Sequence, residues 1–381
     1  MATTQMLLTP YDVWLFRDSR PFTAGDDHTA SGAFPPMPTV LQGALRTAWL
    51  TGNALGVTLQ SYLTQAESPA RAILGAPGDE ALPDASWMKG PFLAETRPTG
   101  ARLWFPAPAN LDCVGGTLLP QPKAELAASS MADGLLPIGA QNGADRCWAP
   151  RYLAEEGMAA YLAGHPVPAD TVKAEADLLH RETRTGIALQ EARAGVVNKV
   201  VQEGRLWSVE FIRLQPGYGL ALETNLPGLA TAPRRLAKLG GEGKAAQVAV
   251  TTFTVPPAPA LTNPKCLLLY LATPALFCSG THTGWRPEDW TAVGMPPGAQ
   301  LVGYLPAPGT VTFGGWDLAR RAPRPNRRGV PAGTVYFFEC QEPLTPTAYQ
   351  TLVDTRHNKP LPGPLATVGA GITLLGGWSH V

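Results

Sequence analysis

The apolar positions of residues 6–16, MLLTPYDVWLF, are filled by β-forming side chains and stop at Arg17 and Asp18, which predicts a strand running into a loop. From Arg17 to Pro38 the prolines at 21, 35 and 36 and the glycines at 25 and 32 prevent either a ladder or a helix from continuing. In TVLQGALRTAWL, residues 39–50, the positions Val40, Leu41, Ala44, Leu45 and Ala48 recur at helical spacing and predict a helix with one buried stripe. The pattern is weak between about residues 51 and 179, where alanine, proline and glycine alternate with short apolar pieces, and it reads as an insertion. Two alternating runs, 206–214 and 218–224, separated by Gln215-Pro216-Gly217, predict a hairpin. A short helix at about 228–239 and a strand at 246–255 complete the first half.

Residues 256–264, PPAPALTNP, offer little to bury and predict a linker. Beyond it the order recurs: a strand at 265–273, a helix near Pro287, strands at 299–305 and 309–315, an extra strand at 334–339, a helix near 345–353 and a last strand near 365–375. The expectation is an α+β chain of two ferredoxin-like (RRM-like) β-α-β-β-α-β domains. Residues 1–255 form the first, with a large insertion at about 53–179, and residues 256–381 the second. The halves share no visible sequence repeat.

Composition narrows the class. Of 381 residues 45% are hydrophobic and 16% charged, which excludes disorder of the whole chain. Forty glycines and 39 prolines imply short elements and many turns, against a helical bundle. Thirty basic and 30 acidic residues leave no net charge, so a nucleic-acid partner must be argued from local clusters. Five cysteines, at 113, 147, 266, 278 and 340, include no C-x-x-C pair, which suggests neither a disulfide scaffold nor a zinc site. The first residues lack a basic region before an apolar stretch, and the most apolar run, 266–278, is broken by Pro274. The expectation is a cytoplasmic protein without membrane contact.

Three clusters carry candidate chemistry. Phe16-Arg17-Asp18-Ser19-Arg20-Pro21-Phe22 places arginines and aromatics in one loop, a kit suited to phosphates and unpaired bases. Arg181 and Arg184 open a modestly basic segment through Arg205. Trp316 to Gly329, WDLARRAPRPNRRG, sets Arg320, Arg321, Arg324, Arg327 and Arg328 against Asp317 alone, in a loop whose prolines forbid a regular helix. Arginine there favours forked hydrogen bonds to a phosphate backbone or to an acidic protein surface. The bland reading of each cluster is a solvated or internally paired surface loop.

The glycines near the end, Gly369, Gly371, Gly376 and Gly377, could expose backbone N–H groups to an anion or form tight turns. Walker spacing from Gly371 to Gly376 is followed by Gly377-Trp378 rather than Lys-Ser/Thr, and Lys244 by Ala245, so nucleotide binding is weakly supported. The six histidines show no metal-binding spacing and no nucleophile elbow appears. No cofactor, metal or catalytic residue is expected.

Together these segments resemble a known family. Leu7 to Phe22, Gly25, Phe34 to Thr39 and Gly43-Ala44-Leu45-Arg46 are similar to the opening of the third subunits of type III-B CRISPR (Cmr) effector complexes, members of the RAMP superfamily. Leu239 to Glu242, Gly314-Gly315-Trp316, Val330 to Phe338 and Gly369 to Trp378 carry the same resemblance onward, with Thr334 and Gly329 standing where that pattern has serine and alanine. The resemblance implies a pair of ferredoxin-like domains in a non-catalytic subunit at the foot of the complex. It also implies partners: the 5′ handle of the CRISPR RNA, the large polymerase-like subunit and an adjacent RAMP backbone subunit, with no DNA contact required.

Handle recognition would then fall to Arg17, Arg20, Phe22, Arg46, Arg181, Arg184, Trp316, Arg320, Arg321, Arg324, Arg327 and Arg328, with the backbone of Gly369, Gly371, Gly376 and Gly377. Residues 53–179 are the expected docking segment for the large subunit. Two other classes stay open. A metal-independent RAMP endoribonuclease needs a general base such as His28, His180 or His357, and a protein-only bridge needs the arginine loops to meet acidic protein surfaces.

Overall fold

The first strand, Thr4–Pro10, is buried on both faces at its centre and sets the layering of the whole chain. Met6 and Leu8 point into one apolar core and Leu7 into another, as the period of two requires. The computed structural model describes residues 3–18, 29–53, 55–112, 119–120, 135, 138–139, 149–189, 201–229, 234–279, 282–317 and 319–379. Arg20, Phe22 and His28 therefore lie outside the described residues.

The first strand sits within an eight-stranded sheet, in the spatial order Arg234–Lys238, Ala245–Val250, Thr4–Pro10, Tyr218–Thr224, Met88–Arg97, Gly100–Pro106, Arg151–Ala154, Val172–Ala174. All neighbours in it are antiparallel. A second, five-stranded sheet runs Ala299–Leu305, Val335–Cys340, Cys266–Leu271, Ile372–Gly377, Lys359–Pro360, again antiparallel. One face of the first sheet is covered by the helix Pro38–Gly52, where Leu41, Ala44, Leu45 and Ala48 of the expected stripe are buried, Val40 is half-buried and Trp49 extends it. Pro38 occupies its first turn, where the missing N–H costs nothing, and Asn53 closes it by bonding Leu50 O and Val57 O. The other face packs, with the helix Glu155–Leu162, against the second sheet. Leu7, Phe92, Leu103 and Phe105 there meet Leu268, Tyr270, Phe337 and Leu374. The outer face of the second sheet carries Leu267, Leu269, Tyr336 and Phe338 beneath the helix Pro346–Arg356. Burial on both faces explains why Cys266–Leu271 is a continuous apolar run and why Val335–Cys340 is one up to Glu339.

Antiparallel sheets with few helices bear out the α+β class, and several local expectations are corrected. Residues 206–214 and 218–224 do not pair. Val201–Leu214 joins a separate three-stranded sheet with Leu179–Leu189 and Thr29–Ala30, while Tyr218–Thr224 is claimed on both edges by the first sheet. The helix expected at 228–239 is instead a strand over 234–238, because the turn at 239–244 folds it back onto Ala245–Val250. No helix forms near Pro287. Trp290 is buried edge-on against Tyr336 and Phe338, with ring centres 4.9 and 4.8 Å apart, so one aromatic plug holds that segment. The 309–315 strand shrinks to Val311–Phe313, outside the five-stranded sheet. The stretch 53–179 supplies four strands of the main sheet, and Gly90-Pro91 inside the first of them weakens its strand pattern. Among the described residues no helix is long and apolar enough to cross a membrane.

Candidate nucleic-acid interface

Residues 12–17 are where the chain leaves the first sheet, and three contacts fix the root of the loop that follows. Trp14 bridges Ile212 through two backbone bonds of 2.9 and 2.8 Å, and Arg17 bridges Gly32. On the other side Gly241 N donates to Leu15 O at 2.8 Å. Gly240, at φ +86°, lies so close that a Cβ would sit 2.5 Å from Leu15 O. The segment Leu239 to Glu242 is thus an anchor for the first loop rather than a ligand cradle.

Arg181 and Arg184 flank this root on opposite faces of the long hairpin, since Arg181 pairs with Ile212 and Arg184 with Val209. Arg181 donates to Gly32 O at 2.6 Å and forms ion pairs with Glu210 at 2.8 Å and Glu175 at 3.0 Å. Arg184 lies over the Phe211 ring, 4.7 Å from its centre, and pairs with Glu182 at 3.0 Å and Asp12 at 3.6 Å. Arg213, which the sequence presents only as a strand position, completes the group by pairing with Asp12 at 2.8 Å and with Glu182. Hydrogen bonds from Arg213 and then Arg184 hold the Glu182 carboxyl down to about 2. Lys244 covers Phe211 as well, 5.0 Å from the ring centre. Acids balance most of the cations at the hairpin root.

The second arginine cluster is built on two short ladders, Val311–Phe313 with Arg327–Gly329 and Trp316–Asp317 with Ala322–Pro323. Asp317 is buried at the bend, where its Oδ1 accepts from Ala319 N at 2.9 Å and Arg320 N at 3.0 Å. Those backbone donors lower its pKa. Arg321 takes a left-handed φ of +51°, and Arg324 N donates to Gly315 O at 2.8 Å, so the loop has a defined shape. Its arginines divide into two sets. Arg324 and Arg327 turn inward onto Glu80 of the first half. Trp316 is 58% exposed and the Arg320 side chain 85% exposed, while Arg321 and Arg328 are exposed without an ion pair among the described residues.

Arg46 lies behind this cluster, held inside. Its guanidinium donates to Leu74 O at 3.0 and 2.7 Å, to Asp79 O at 2.9 Å and to Ala81 O at 3.1 Å, and burial lowers its pKa. Those bonds staple the loop that carries Glu80. Arg46→Ala is expected to cost about 2–3 kcal/mol, the range for losing buried hydrogen bonds to a charged group, measured as a lower urea midpoint.

The glycines expected to offer backbone to RNA are inside. Gly369, at φ +83°, abuts Gly90 and Met88 of the first sheet, and its carbonyl accepts from Thr273 Oγ1 at 2.7 Å. Gly371 donates to Pro274 O at 2.8 Å. Gly376 and Gly377 pair with Leu268 and Leu267, and a Cβ on Gly376 would sit 2.6 Å from Leu162 O. Lack of a side chain here lets backbone pack on backbone between the sheets instead of opening an anion nest.

The described histidines do not converge. His180 contacts Gln215 at the hairpin root, whereas His357 is fixed at the end of the last helix. Its Nε2 lies 2.7 Å from Pro256 O, so that nitrogen donates, and its Nδ1 accepts from Leu375 N at 3.1 Å. Burial holds the ring below its ordinary pKa of 6.5. The folded chain therefore prefers the neutral ring, and the stability this contributes is complete above pH 6.5 and lost as the pH falls below it. The urea midpoint is expected to drop as the pH is lowered through that value, and His357→Gln to flatten the drop.

Comparison with known proteins gives this geometry a family context. The sequence model of the CRISPR-associated protein family Cas_Cmr3 matches residues 6–368. No curated protein matches. Among solved structures, a chain of the type III-B Cmr-β complex bound to cognate target RNA and AMPPnP, state 1, is 12% identical with a TM-score of 0.49, covering 87% of this chain and 86% of that one. A chain of the Cmr-β complex bound to cognate target RNA gives 13% identity and 0.45 over 87% and 86%. A chain of the Csm1–Csm4 cassette with AMPPNP gives 11% and 0.34 over 90% and 98%.

Proposed function

The chain belongs to the Cas_Cmr3 family of CRISPR-associated proteins, and from that premise we propose that it is a non-catalytic subunit of a type III-B Cmr effector complex that binds the repeat-derived 5′ handle of the CRISPR RNA. In this reading it docks the large polymerase-like subunit and an adjacent RAMP backbone subunit in the cytoplasm. Family membership supports the setting, and one observation carries the RNA role: the shaped loop at 316–328 that presents Trp316, Arg320, Arg321 and Arg328 outward. An aromatic face for an unpaired base beside guanidiniums for its phosphates is what single-stranded RNA recognition needs. Arg17 at the root of the first loop is the other RNA-facing candidate.

The strand orders support two ferredoxin-like units. In the first sheet Ala245–Val250, Thr4–Pro10, Tyr218–Thr224 and Met88–Arg97 are neighbours in the 4-1-3-2 order of a β-α-β-β-α-β unit. In the second, Ile372–Gly377, Cys266–Leu271, Val335–Cys340 and Ala299–Leu305 repeat it. Among the described residues each unit keeps one of its two helices. The sealed His357 and its separation in the fold from His180 support a subunit without nuclease chemistry.

One gel tests this. The protein, alone and with the large subunit, is incubated with end-labelled RNA carrying a repeat-derived handle or a scrambled one. Handle-dependent retention of intact RNA is expected. Cleavage that survives chelation and disappears on His180→Ala would replace the proposal with the endoribonuclease, and retention of neither RNA would replace it with the protein bridge.

A further inference from the structure

A groove of about 870 Å³ separates the loop at 75–83 from the loop at 317–327. Arg71, Arg320, Arg324 and Arg327 line it, with Asp79, Glu80 and Asp317. Arg324 Nη1 reaches one carboxylate oxygen of Glu80 at 3.5 Å and Arg327 Nη2 takes the other. Two guanidiniums converging on the separate oxygens of one carboxylate is also the arrangement that binds two oxygens of a phosphate.

Neither arginine depends on Glu80 for its place. Arg327 belongs to the ladder with Phe313, and Arg324 is held by its backbone bond to Gly315 and by Asp317, whose Oδ2 lies 3.9 Å from Arg324 Nη2. Glu80 is 27% exposed, against 17% for Arg324, so solvent reaches the ion pair from the groove. Pairs open to solvent contribute only about 0–1 kcal/mol, which a multiply bonded phosphate can exceed.

We propose that this groove is a phosphate seat for single-stranded RNA, and that Glu80 occupies it in the free protein as a stand-in for a phosphodiester. The proposal rests on the RNA reading above and adds a latch: RNA displaces Glu80 and takes Arg324 and Arg327. The loop at 316–328 then binds by its outward arginines first and its inward ones second.

Glu80→Gln keeps the shape of the side chain and removes its charge. Its affinity for handle RNA is expected to rise about 2- to 5-fold over wild type, the equivalent of about 0.4–1 kcal/mol for an ion pair no longer to be broken. Adding Arg324→Gln and Arg327→Gln to that variant should cancel the gain and lower the salt slope by about 0.7, one single-strand phosphate contact. Thermal melts of each variant establish that it is folded. Wild-type protein that retains no RNA sinks the RNA reading itself. Wild-type retention with a Glu80→Gln affinity that is equal or weaker leaves that reading standing and sinks the latch. A triple variant that keeps the affinity and salt slope of Glu80→Gln but loses a neighbouring subunit would place an acidic protein surface in the groove and overturn the proposal.

Discussion

Replacing Arg320, Arg321 and Arg328 together with glutamine is expected to lower affinity for handle RNA about 50-fold at about 0.15 M salt and to flatten the salt dependence by about 2 units. Each phosphate neutralised on a single strand releases counterions worth about 0.7 in the log–log slope, so three contacts account for both figures. These residues suit the test because they are exposed and pair with little else: Arg320 reaches Asp317 only at 3.9 Å, and Arg321 and Arg328 have no ion pair among the described residues. Stability should hold, since exposed charges contribute little to folding. Filter binding over a salt series reads both numbers. An unchanged slope with an unchanged melting temperature would show that the loop does not meet phosphate.

A large effect on stability is expected at Gly369. Alanine there must adopt φ +83° and bring its Cβ 2.8 Å from Gly90 O and 3.0 Å from Met88 O. The left-handed backbone costs about 1–2 kcal/mol and the forced separation of this turn from the strand Met88–Arg97 about 1–3, together a large part of a stability of about 5–15 kcal/mol. Gly243→Ala provides the contrast, because Gly243 has φ +66° and nothing lies within 4 Å of where a Cβ would stand. Its cost should stop at the conformational part. Gly376→Ala should fall between them, since its backbone is ordinary but its Cβ would meet Leu162 O at 2.6 Å. Equal urea midpoints for the Gly369 and Gly243 variants would contradict a packing role.

How much of this was legible in the sequence depended on whether a signal was local. The helix Pro38–Gly52 was readable because its stripe at 41, 44, 45 and 48 is set by one period, and the strands 266–271 and 335–340 because burial on both faces leaves apolar runs, 266–271 and 335–338. The hairpin expected from 206–224 failed because alternation shows that two runs are strands, not which neighbours they choose. The helix expected at 228–239 failed because the glycine turn that folds 234–238 back lies just beyond it.

The site divided in the same way. Counting charges found the loop at 316–328, yet Glu80, which takes Arg327, lies 247 residues away and carries no mark in the sequence. Arg213 was hidden in a strand pattern, although Asp12 and Glu182 make it the centre of the hairpin-root network. Glycine spacing at 369–377 announced close backbone approach correctly, but a second strand and a helix end, rather than a ligand, are what approach.

The RNA role stands or falls on whether the outward face at 316–328 meets the handle. Photocrosslinking reads that contact: handle RNA carrying 4-thiouridine is irradiated with the protein and the modified peptides are mapped by mass spectrometry. Crosslinks are expected on Trp316 and on the peptides containing Arg320, Arg321 and Arg328, lost when the handle is scrambled. Handle-dependent crosslinks confined to other segments, with that loop unmodified, would contradict the proposed role.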